Sequence, residues 1–237
     1  MDKQSWFLKE LKKDIVLSGC DEEMLLELGD FLGRHQQLFK KLYKAYKMKG
    51  NEIELIPDLG APVHVLFDRQ EDEVAIKRLN NNVNLSIKAF LHFCKLIDVC
   101  FIDTVSLGSV IRLDMDYFSE MLQEKFHHKS DGLAMIVDHQ VILNEEKKTL
   151  VDYVALLWPF SGQGNPPIVF LSTFMIQEIV HRGMRNEFEQ TYLQRLKENN
   201  LHNNRVSLAF ETEDSIEEIK KFLEENPMEV EENGKDS

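Results

Sequence analysis

Three cysteines in 237 residues are too few for a disulfide framework. Cys20, Cys94 and Cys100 form neither a CxxC pair nor a Cys/His set at zinc spacing. Such an odd set of thiols fits a reducing compartment, so a cytoplasmic location is expected. Long apolar runs are also missing. The longest, near 153–160 and 168–176, fall short of the roughly 18 residues that a membrane-spanning helix needs. The first residues, MDKQSWFLKELKKD, carry charge throughout and lack the apolar stretch of a signal peptide. Positive charge is scarce: 28 Lys and Arg face 41 Asp and Glu, for a formal net charge of −13. Nucleic acid and anionic membranes repel such a chain, so binding either requires a local basic patch. No internal repeat and no serine at a nucleophile elbow occur. The Gly-rich stretch SGQGNPP at 161–167 lacks the lysine of a P-loop and the third glycine of a dinucleotide turn. Its Gly and Pro residues read as a shaped turn.

The strongest pattern present lies at 21–50. Leu25, Leu28, Leu32, His35, Phe39, Leu42 and Tyr46 step by three and four, which places them on one seam of a helix. Asp21 is placed to cap it, Glu22 and Glu23 favour its first turn, and Gly50 suits its end. Met24, Phe31, Leu38 and Ala45 widen the apolar face beyond a coiled-coil stripe. The seam packs either on this chain's own core or on a partner, a homodimer included. Residues 4–17 predict a shorter helix, so the chain opens with a helical hairpin. A DNA-reading helix-turn-helix is disfavoured, because Glu22, Glu23 and Glu27 occupy the end that would meet phosphates.

Beyond Gly50 the period changes from helical to mixed. Strands are expected at 53–55 and 63–67, an exposed polar connection at 70–84 and a helix at 86–99. A strand at 105–113 and a helix at 116–126 follow. Next comes a hairpin of 133–143 and 150–158 across the polar connection 144–148. Residues 168–171 read as a strand or as the entry to a helix running to about 197. A last strand at 206–210 and a helix capped by Ser215 complete the series. The fold class is α+β: an N-terminal helical hairpin, then a mixed or antiparallel sheet covered by helices. The expected divisions are 1–50, 51–226 and an acidic, disordered tail at 227–237.

Three groups are candidates for function. The seam residues Leu25, Leu28, Leu32, Phe39, Leu42 and Tyr46 are candidates for binding a partner. Arg34, Lys40, Lys41, Lys44 and Lys47, in the only basic region of the chain, are candidates for an anion, nucleic acid, or an acidic protein segment such as the chain's own tail. Asp114 and Asp116, with Asp138, have the oxygen chemistry to hold Mg²⁺ for nuclease or phosphoryl-transfer work, although a helix cap also explains the first pair. Asp138 with Glu145 and Lys147 is similar to the acidic and E-x-K pattern of restriction-type nucleases. That chemistry needs the last two on a strand, and they fall in the hairpin connection. His92, His127 and His128 have no companions at zinc spacing. The leading expectation is a cytosolic protein-interaction module, acting as regulator, adaptor or assembly subunit on another protein or on itself. A metal-dependent enzyme and a nucleic-acid binder are the alternatives. No cofactor and no membrane partner are expected.

Overall fold

Helix α1 (Lys3–Leu11) starts where the Asp2 carboxylate accepts from the Ser5 amide at 2.9 Å. Asp21 does the same for Met24 at 3.0 Å and begins α2 (Glu22–Arg34). These are elements of a computed structural model that describes residues 2–159 and 168–211, without the side chains of 125 and 127–129. The loop 161–167, the helix expected from Ser215 and the tail at 227–237 lie outside the described residues.

The single helix expected over 21–50 is two. Residue His35 leaves helical geometry (φ −107°, ψ 63°), and α3 (Gln36–Lys47) begins after it. The His35 ring stays tied to α2, with Nδ1 2.8 Å from the Phe31 carbonyl oxygen. Apolar spacing continues through the break because both helices bury the same side of the chain.

Four strands follow: β1 (Glu52–Leu55), β2 (Val63–Asp68), β3 (Glu73–Arg78) and β4 (Asn81–Ser86). They form an antiparallel meander in that order. The expected polar connection at 70–84 is thus mostly strand. Val74, Ile76, Val83 and Leu85 alternate inward, and the polar residues between them are the outer face of a half-buried sheet. Ser86 then caps α4 (Ile87–Phe101), accepting from the Ala89 amide at 3.1 Å. Helix α4 is buried along most of its length and forms the axis of one core with α1–α3 and the meander.

The second sheet contains β5 (Val110–Leu113), β6 (Leu133–Asn144), β7 (Thr149–Leu157), β8 (Ile168–Leu171), β9 (Ile176–His181) and β10 (Val206–Ser207). Its order is β10-β7-β6-β5-β9, with β8 also on β7. All pairs are antiparallel except β10 with β7. Helix α5 (Glu120–Ser130) contributes Leu122 and Phe126 to this second core. Of the two readings of 168–171 the strand holds, as β8, and the helix expected to run to about 197 is instead β9 and α6 (Glu187–His202), which Asn186 caps by accepting from Glu189 at 2.9 Å. Gly183 lies between β9 and α6, where a Cβ would stand 1.9 Å from the Leu107 carbonyl oxygen. The chain there passes too close to its neighbour for any side chain. Two 3-10 turns, Thr173–Met175 and Leu208–Phe210, bring Phe174 and Phe210 from the second sheet's strands into the first core. Among the described residues, no helix is long and apolar enough to cross a membrane.

Candidate functional site

The seam of α2 and α3 faces inward. Leu25, Leu28, Leu32, Phe39 and Leu42 are buried in the first core, and Tyr46 is half-buried against Phe67 and Phe90. Most of the basic group is also engaged within the chain. Arg34 pairs with Asp30 at 2.8 Å one turn earlier. The Lys40 ammonium donates to the Ile176 carbonyl oxygen at 2.9 Å. Lys47 lies over the Tyr43 and Tyr46 rings, 5.6 and 5.8 Å from their centroids. Lys41 is exposed.

Lys44 joins the basic candidates to the acidic ones. Its ammonium sits 2.7 Å from a carboxylate oxygen of Asp114 and 2.7 Å from one of Asp116. The lysine therefore occupies the position between the carboxylates and offsets one of their two negative charges. Desolvation works against the cation, yet these two hydrogen-bonded partners hold the Lys44 pKa above its ordinary value. Asp114 also accepts from the Asp116 amide at 3.3 Å, as the residue before the 3-10 turn Met115–Tyr117. Asp138 is exposed elsewhere, at a bulge of β6 against β7. Among the described residues, no group of three or more His, Cys, Asp or Glu is arranged to hold a metal ion. Glu145 and Lys147 lie in the turn between β6 and β7, where Glu145 pairs with Arg205 at 3.2 Å.

A cleft of about 510 Å³ opens beside this ion pair. Tyr43 of α3 is one wall, stacked on Phe174 at 3.7 Å, with its hydroxyl donating to the Ala209 carbonyl. Met48, Phe170 and Leu208 add apolar surface, and Lys47 and Asp116 also line the cleft. Asp152 lies at its base, buried, where it accepts from the Thr173 amide at 2.9 Å. Burial raises the Asp152 pKa, against the Thr173 amide and the Ser207 hydroxyl, which favour the carboxylate.

Behind Asp152 lies a charge that sequence reasoning missed. Asp98 is buried in α4, and its Oδ1 has no hydrogen-bond partner. Burial and then the Asp152 charge push its pKa up to about 7, while Lys197 and Lys40 oppose them. Lys197 of α6 donates to the Ile102 carbonyl oxygen at 2.5 Å and closes the C-terminal end of α4. The available signal was one aspartate within the apolar run Leu96-Ile97-Asp98-Val99-Cys100-Phe101.

A different surface is apolar and open. Met184, Phe188 and Tyr192 are 80, 88 and 60% exposed. Phe188 and Tyr192 are four apart on α6 and share a face. Of α6 only Asn200 is fully buried, and its amide donates to the Gln140 side chain at 2.6 Å. Arg182, Arg185 and Arg195 are exposed in the same stretch. Arg195, three residues after Tyr192, shares its face, whereas Arg185 pairs with Asp103 at 3.7 Å and lies beside Gln190, Gln194 and Lys197 on the other side of α6. Compared with protein-family models, with curated proteins and with solved structures, the chain matches none of them.

Proposed function

We propose that this chain works by binding another protein, and that the surface from β9 to α6 makes the contact. The observation that carries this reading is the exposure of Met184, Phe188 and Tyr192, the last two on one face of α6 with Arg195. Aromatic residues, methionine and arginine are the types enriched at the centres of protein interfaces. Exposing these side chains to water instead forgoes their burial energy, about 1.5–3 kcal/mol for each large apolar group. Arg195 gives the partner a chemistry: an apolar patch with a carboxylate beside it.

The seam on α2 and α3 supports this role less well, since its residues already pack inside the molecule. The metal-dependent alternative is weakened by Lys44, which sits between Asp114 and Asp116.

The test places a photo-reactive phenylalanine analogue at position 188 of the full chain in its native cell. A discrete adduct is expected, and Arg195→Glu should reduce it several-fold. The purified adduct partner should bind the chain at least about tenfold more weakly after Phe188→Ala, the effect of losing about 1.4 kcal/mol. Adduction between two copies identifies self-association, to be checked by concentration-dependent sedimentation. A strictly monomeric protein that gives no adduct at 188 overturns the proposal.

A further inference from the structure

The cleft beside Lys44 has a candidate occupant in the chain itself. We infer that the segment 212–226 docks in this cleft, its apolar stripe against Met48, Phe170 and Leu208.

Chain position is the first argument. Ser207, Leu208 and Ala209 line the cleft, and Glu211 leads directly out of it. Ile216 is five residues further on, so the chain brings it within about 18 Å at full extension. Pattern is the second. Ile216, Ile219, Phe222 and Leu223 recur at helical spacing after Ser215, a good cap, and Pro227 closes the stretch. The cleft offers matching apolar surface: Met48 is 43% exposed and Phe170 36%.

Charge is the third argument. Residues 212–226 carry six acidic groups against two lysines. Helix α3, which forms one wall, is the most basic element of an acidic chain, with Lys40, Lys41, Lys44 and Lys47. Lys44 and Lys47 lie in its last turn, where the macrodipole favours cations. Lys47 lines the cleft with Asp116 and Asp152, and the five-residue tether holds the acidic segment beside that lysine at a high effective concentration. This inference is independent of the surface from β9 to α6, and that surface supplies its control.

The experiment uses the full chain and reads methionine oxidation by hydroxyl radicals, with a photo-reactive phenylalanine analogue at position 222. Met48 and Met175 in the cleft should oxidise far more slowly than Met184. Ile219→Glu with Phe222→Glu should speed Met48 and Met175 several-fold and leave Met184 unchanged. Cross-links from 222 should fall within one chain, on peptides containing Met48, Phe170 or Leu208. The analogue keeps an aromatic side chain at 222, so this readout survives if the glutamate variant fails to fold. Cross-links between two copies, to another protein or outside the cleft overturn the inference. So does an absence of cross-links with Met48 oxidation unchanged in the variant.

Discussion

Asp98 is held in the apolar middle of α4 with one oxygen unpartnered, and its pKa is raised by burial to about 7. In the unfolded chain an aspartate titrates near 3.9. Between those values the folded chain keeps a proton that the unfolded chain releases, so stability falls as pH rises through that window. Asp152, also raised by burial, adds a slope of the same sign. Asp98→Asn removes the Asp98 part of the effect. The variant is expected to match the natural chain near pH 4 and to exceed it at pH 8, by on the order of a few kcal/mol. Urea midpoints measured from pH 4 to 8 check this, and parallel curves for the two proteins would refute it. At this scale the sequence was partly legible. The 114/116 pair was visible as carboxylates and as a cap, but not the lysine from residue 44 that meets it. The separation is 70 residues, and no local period encodes such a contact. Asp98 was hidden because one charge scarcely alters an apolar helical pattern.

Helices α2 and α4 approach closely, and Gly33 is the reason they can. A Cβ at Gly33 would stand 2.2 Å from Cγ of Phe101. That atom is close to the α4 backbone and cannot swing away. Alanine gains up to about 1 kcal/mol of helix propensity there. Overpacking a core costs roughly 1–3 kcal/mol, so the clash prevails. Gly33→Ala should lower the thermal midpoint by several degrees, given about 2–4 °C per kcal/mol for a chain of this size. An unchanged or raised midpoint in a thermal melt would show that α4 gives way. The pattern correctly placed the inward face of both helices and gave the caps at Asp21 and Ser86. It did not show the break at His35, because the i, i+3, i+4 spacing survives a change of axis. It also merged β9 and α6 into one helix and left 168–171 open between a strand and a helix entry. Ile176, Ile179 and Val180 fit a helical face as well as a strand, and short apolar runs leave the two periods unresolved.

The whole molecule has two cores joined by a small aromatic group. Phe174 belongs to the turn before β9 but packs with Tyr43, Phe39 and Phe210 in the first core. Phe174→Ala should cost about 3–5 kcal/mol. Because the group is shared, amides of α4 and of β7 should lose hydrogen-exchange protection together. Loss confined to β6 and β7 would mean that the two cores open independently. The α+β class was legible at this scale, since helical periods dominate the first 50 residues and alternation appears after them. The division into two sheets was not. It depends on β3 and β4, whose outward positions are polar enough to resemble a loop, and on pairings between strands far apart in sequence.

The hydrogen bond from Tyr43 to the Ala209 carbonyl has a consequence in time. Its partners are 166 residues apart. A ribosome adding roughly 5–20 residues per second takes about 8–33 s to cover that distance. The N-terminal helices exist without Phe174 for most of that interval and without Phe210 for all of it, the rings that complete their packing. Phe39 and Tyr43 therefore lack these partners until residues 174 and 210 have been made, and the first core closes only after strands β5 to β9 exist.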